Sequence, residues 1–182
     1  MKFIHLTFLL LLVAGFTSCD DDENDMMNPG LVGDWTALSL DASIDATLTS
    51  PTVNTSSNTE LSGTAFDYDL NFSETQFTAG GTYDISTTTT ANGTTTTTDN
   101  SYTGVSNTGP YTATGSQITF NGNLFELEFN GMPFMGSGGP QTVDYSINGD
   151  LLTITQNETI DTIIGDLTSS SSIQSTSTWR RN

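Results

Sequence analysis

From residue 31 onward, apolar or β-branched residues alternate with polar ones in short runs punctuated by glycine, asparagine and aspartate. A period of two is that of a strand with one buried face, and the three-to-four spacing of an amphipathic helix is absent. In Asp67-Tyr68-Asp69-Leu70-Asn71-Phe72 the period places Tyr68, Leu70 and Phe72 on one face and the acids on the other. Phe125-Glu126-Leu127-Glu128-Phe129 follows the same rule. Asn121-Gly122 and Asn148-Gly149 stand between such runs and predict hairpin turns, because both residues tolerate positive φ. The pattern predicts strands near 34–42, 62–73, 76–90, 94–105, 109–114, 116–121, 124–130, 141–147, 150–159 and 171–181, an all-β chain of about eight to ten antiparallel strands. Thr87 to Thr98, almost pure threonine around Asn92-Gly93, predicts one long projecting hairpin solvated on both faces, and a second reading makes it an extracellular contact finger. Ser169 to Ser172 predicts the start of the final strand or a turn into it.

The first residues do not follow the pattern. Lys2 precedes an apolar run from Leu6 to Phe16, then Thr17-Ser18-Cys19 and a burst of acids. A positive start, a short apolar segment and small residues before a cysteine predict a lipoprotein signal peptide over 1–18, with Cys19 as the lipidated first residue of the mature chain. The apolar run is too short to span a membrane. Residues 19–30, opening Asp20-Asp21-Asp22-Glu23-Asn24-Asp25, hold too little apolar content to fold and predict an acidic tether. The rest, 31–182, is the length of one domain.

Cleavage after Ser18 would leave Arg180 and Arg181 as the only basic residues against 21 carboxylates. A chain so acidic repels nucleic acid, whose binding requires Lys and Arg to displace phosphate counterions. It would also have no His, no Lys and, once Cys19 is acylated, no free thiol and no disulfide. The usual general base, Schiff-base amine and thiolate are thereby excluded, and no enzyme activity or cofactor is expected. Carboxylates alone are poor ligands for zinc or copper, so no metal is expected either.

Two acidic constellations invite chemistry, and neither carries it. An EF-hand loop counted from Asp67, through Asp69 and Asn71, needs glycine where Phe72 stands and glutamate where Thr78 stands. Glu126 and Glu128 have the separation of a glycosidase pair, but any two residues two apart on a strand share it. The segment Gly131-Met132-Pro133-Phe134-Met135-Gly136-Ser137-Gly138-Gly139-Pro140 sets apolar side chains among glycines, the composition of a ligand lid or of a plug that folds back over a barrel end.

Leu31-Val32-Gly33-Asp34-Trp35, Gly109 to Phe120, Val143 to Ile154 and the terminal arginines together resemble the lipocalin-like domains of Bacteroidota-type lipoproteins. The resemblance implies an antiparallel lipocalin-like β-barrel over 31–182, with Gly33 and Trp35 closing its base and a terminal arginine, Arg180, packing over the indole. A barrel of about eight strands holds side chains or one small ligand. The expected function is therefore binding of a small apolar or amphipathic molecule by inward residues Tyr68, Leu70, Phe72, Phe120 and Phe129, with Phe134 above them. The alternative is a surface interaction or adhesion module with a filled core. The acids after Cys19 resemble the surface-export signal of the same bacteria and imply an outer-membrane lipoprotein facing the outside, the periplasmic face being the other possibility. Asp161-Thr162-Ile163 resembles their O-glycosylation signal, which makes Thr162 a candidate acceptor. The expected partners are the membrane, through the lipid anchor, and the small apolar ligand, with no protein partner named by the sequence.

Overall fold

A computed structural model describes residues 30–129, 132–133 and 140–182, with backbone alone at 128–129 and 132–133. The expected signal peptide, Cys19, nearly all of the expected tether, and Phe134 with most of its loop lie outside the described residues. Among the described residues there are ten strands: β1 Gly33–Thr49, β2 Asn54–Phe72, β3 Gln76–Ala91, β4 Thr94–Thr114, β5 Gln117–Phe120, β6 Glu128–Phe129, β7 Met132–Pro133, β8 Gln141–Asn148, β9 Leu151–Ile164 and β10 Leu167–Arg181. Eight of them close an antiparallel barrel in the order β1-β10-β9-β8-β5-β4-β3-β2, and β6 and β7 form a separate two-stranded ribbon. The all-β chain expected from the alternating pattern, and the antiparallel barrel that the resemblance implied, are the observed fold.

Strand lengths give the barrel its shape. β5 has 4 residues and β8 has 8, whereas β4 has 21 and β9 has 14. β4 pairs with β5 only over Tyr111–Thr114, and β9 with β8 only over Leu151–Thr155. Beyond those points the strands β9-β10-β1-β2-β3-β4 continue as an open six-stranded sheet standing on the closed ring.

The alternation read from the sequence places the core. Trp35, Tyr68, Leu70, Phe72, Phe77, Tyr83, Ile118, Leu152 and Trp179 are all buried inside the ring. Along β10 the burial alternates through Ile173, Ser175, Ser177 and Trp179, and it does so along β1 through Leu40, Ala42 and Ile44.

The Thr-rich hairpin is present, with Ala91 paired to Thr94 across Asn92 at φ 50° and Gly93 at φ 78°, the left-handed pair that a type I′ turn requires. β8 and β9 also form a hairpin, its two loop residues being Gly149 and Asp150. Residues 94–105 and 109–114, expected as two strands, are one continuous β4. Both β1 and β2 extend well into 43–61, which the sequence pattern left between strands. On β1 the apolar period in fact continues through Ile44, Ala46 and Leu48, but residues 54–60 of β2 are polar on both faces and hydrogen-bond sideways instead: Thr59 to Thr89 at 3.1 Å and Asn58 Nδ2 to Asp45 Oδ1 at 2.9 Å.

One expected strand is corrected. Asn121-Gly122 is not a hairpin turn joining two barrel strands, and 124–130 does not enter the barrel sheet. β5 pairs instead with β8, and residues 121–127 form an inserted loop. Gly109 makes the detour possible: a Cβ there would lie 2.1 Å from the carbonyl oxygen of Asn121, whose N–H bonds Pro110 O at 2.9 Å.

Candidate functional site

The interior of the ring was the expected site, and the inserted loop occupies it. Leu124, Phe125 and Leu127 are buried. The Phe125 ring stacks on Tyr68 at 5.3 Å, meets Tyr83 edge-on at 5.4 Å and leans on Trp179 at 5.4 Å. These separations are those of aromatic rings in direct contact. Two phenols anchor the loop's backbone. Tyr68 donates to Leu124 O at 2.6 Å, while Tyr83 donates to Glu126 O at 3.1 Å and accepts from Glu126 N–H at 2.8 Å. Leu124 and Phe125 therefore fill the ring from a loop, where strand alternation had predicted a strand over 124–130.

Tyr68, Leu70, Phe72 and Phe120, expected to line a ligand cavity, do come together inside the barrel, but as packed core. Phe72 lies 4.9 Å from Tyr111 and 6.0 Å from Phe120, and Phe120 lies 5.1 Å from Phe77. None of the four lines either of the cavities described below. For Phe129 the backbone of β6 alone is described, and Phe134 lies outside the described residues.

Burial raises the ionisation of the Tyr68 and Tyr83 phenols far above the usual tyrosine range, and that of Tyr111 in the same direction. A phenol whose folded pKa exceeds its unfolded one contributes stability that is intact below the unfolded value, near 10, and is lost as pH rises beyond it. The barrel is accordingly expected to hold its stability up to about pH 10 and to unfold steeply above. Denaturant midpoints across pH 8 to 12 measure this, and a Tyr68→Phe, Tyr83→Phe variant should show a shallower alkaline fall.

The base of the barrel is closed by Trp35, and the basic residue over it is Arg181. The guanidinium carbon of Arg181 lies 4.2 Å from the indole centre. Arg181 also donates to Val32 O at 3.2 Å and to Gly30 O, while Trp35 Nε1 donates to Leu31 O at 2.9 Å. The expectation for Arg180 is corrected, and strand parity gives the reason: Trp179 points inward, so Arg180 points to solvent and Arg181 turns back. Gly33, at φ +134°, completes the closure, since a Cβ there would sit 3.2 Å from Arg181 Nη1.

The outside of the open sheet is built differently. Registers across β9-β10-β1-β2-β3-β4 align Thr155–Thr176–Asp41–Ser62–Ser86–Asp99, then Asn157–Gln174–Ser43–Glu60–Thr88–Thr97, then Thr159–Ser172–Asp45–Asn58–Thr90–Thr95. Every residue in these three ranks carries a hydroxyl, an amide or a carboxylate. A groove of about 510 Å³ is lined by the β9, β10, β1, β2 and β3 residues of the first two ranks, Asp41 and Glu60 among them, with Ala42 and Leu61 between them. A second, of about 410 Å³, lies nearer the tip beside Asp45, Asn58 and Thr90. Hydrogen bonds run along the ranks, from Ser62 to Asp41 at 3.0 Å and between Thr88 and Thr97 at 3.1 Å. Such a surface is the opposite of the apolar band a transmembrane barrel turns to lipid.

Sequence reasoning missed these grooves, because a strand's polar face reads simply as solvated. The signal that could have found them is the absence of Lys and Arg from every such position. Among the described residues no group of three or more His, Cys, Asp or Glu could hold a metal ion. Thr162 lies exposed on β9. No family model, curated protein or solved structure matches the chain.

Proposed function

We propose that this chain is a non-enzymatic interaction module, carried on the outer membrane by a lipid at Cys19 and facing outward, that meets its partner with the polar face of its open sheet. The observation that supports this reading is the filled barrel: Phe125 and the rings of Tyr68, Tyr83 and Trp179 pack where an apolar cargo would sit. The two described grooves lie elsewhere, lined mainly by hydroxyls, amides and carboxylates with Ala42, Leu61 and Ala46 among them. A face of that chemistry suits a hydrogen-bonding partner, neutral or cationic, and repels phosphate-rich ones. The fold itself is equally compatible with cargo carriage, so the reading rests on the site and not on the barrel. The lipid would hold such a module durably, each buried CH₂ contributing about 0.8 kcal/mol.

The deciding experiment is native mass spectrometry of the protein after incubation with a bacterial lipid extract. The expected result is the unliganded mass. A recurrent adduct that leaves on organic extraction overturns the reading in favour of a carrier of apolar cargo.

A further inference from the structure

The open sheet ends in two free edges, and they are built unlike each other. The β4 edge is hydrophilic from Thr94 to Ser101 and interrupted by a register shift beside Gly104, itself at φ +67°. Polar residues and a bulge are the devices by which natural sheets blunt an edge. The β9 edge has no bulge, and among its polar residues it exposes three isoleucines. Its pairing to β10 runs without a register shift from Leu151 to Ile164, and the segment holds no Pro, Lys or Arg. Past Thr155 no strand among the described residues pairs with its outer side. Ile160, Ile163 and Ile164 stand there 40%, 73% and 70% exposed.

The geometry points to a second copy of this chain as the partner of that edge: two β9 strands pair antiparallel about a twofold axis at Ile160 and join two open sheets into one. The sequence of the edge selects this register. With Ile160 facing its own copy, Glu158 faces Thr162, Thr159 faces Asp161, Asn157 faces Ile163 and Gln156 faces Ile164, so the whole free edge is used and no acid meets an acid. Centring the pair one residue later would set Asp161 against Asp161. Self-pairing of this kind is isologous and closes at two copies, whereas β9 against β4 of another copy would propagate. It also supplies the backbone partners that alternate N–H and C=O groups of the edge lack. Because both copies are strongly acidic, added salt should tighten the dimer through screening.

Sedimentation velocity of the full chain in a non-ionic detergent tests this. The wild type should sediment at twice the mass of the Ile160→Lys variant, which sets two ammonium groups across the axis. Leu151→Lys, a change at an exposed site on the part of β9 that β8 covers, should remain dimeric. In a Cys19→Ala background, Ile160→Cys should form an intermolecular disulfide on oxidation, since facing residues bring Cα atoms to about 4.5 to 5.5 Å, and Ile163→Cys should not. A wild-type monomer, or a dimer that Ile160→Lys leaves intact, overturns the proposal. A disulfide through Ile163→Cys in place of Ile160→Cys overturns the register.

Discussion

Phe125→Ala should lower the stability of the barrel by about 3 to 5 kcal/mol, the range for emptying a buried phenylalanine site. Phe125 is 1% exposed and sits among three larger rings, each anchored to a different strand. Collapse into the vacated space is hindered because Tyr68 and Tyr83 are held by their hydroxyls to the loop backbone that carried the lost ring. The void should therefore persist, lined by aromatic carbon. A persistent apolar void has a second signature beyond instability, since a small apolar solute can occupy it. Benzene at millimolar concentration is expected to raise the melting temperature of Phe125→Ala and to leave the wild type unmoved. Phe125→Leu, which keeps most of the volume, should cost less than half as much as the alanine change. Chemical denaturation of the three proteins supplies the first comparison and thermal melts with benzene the second. A cost below about 1 kcal/mol for the alanine variant would show that the loop is dispensable and the ring interior already open.

How much of this was written in the chain differs by region, and the difference is physical. Tyr68, Leu70 and Phe72 were legible because their strand has water on one side and core on the other, and that asymmetry is what a period of two records. Phe125 and Leu127 carry the same period, yet they belong to an irregular insertion. Alternation cannot tell a strand from a loop that dips repeatedly into a core, and here the decision is made by tertiary contacts with the phenols of Tyr68 and Tyr83. Residues 43–61 failed in the opposite sense. The alternation of Ile44, Ala46 and Leu48 was there to extend β1, whereas Asn54 to Glu60 of β2 is strand without an apolar period, its ranks held laterally by backbone pairing and side-chain hydrogen bonds. The grooves beside Asp41 and Glu60 depend on how strands from both ends of the chain align, β9 and β10 with β1 and β2, and no local pattern encodes that register. At the base, the motif Gly33 to Trp35 pointed to a closing arginine, and strand parity then chooses between the two candidates.

That choice supplies the sharpest contrast between neighbouring residues. Arg181→Ala should destabilise the protein by about 2 to 3 kcal/mol, whereas Arg180→Ala should leave the denaturation midpoint where it is. Three losses coincide at Arg181. The guanidinium leaves the face of Trp35, an interaction worth about 0.5 to 2 kcal/mol depending on desolvation. Two carbonyls, Val32 O and Gly30 O, lose a charged donor. The segment before β1, which Trp35 Nε1 holds at Leu31 O, loses its side-chain tie to the end of β10, while the backbone pairing of Trp35 with Arg181 stays. Arg181→Lys discriminates among these contributions. An ammonium can sit over the indole and reach one carbonyl, but it lacks the planar fork that serves two acceptors while stacking, so it should recover only part of the loss. Arg180 carries the same charge one residue away and faces solvent, which makes it the control for net charge in a chain with so few cations. Equal effects at the two positions would mean that the arginines act through charge alone, and the stacked geometry at Trp35 would then contribute nothing measurable to closing the barrel.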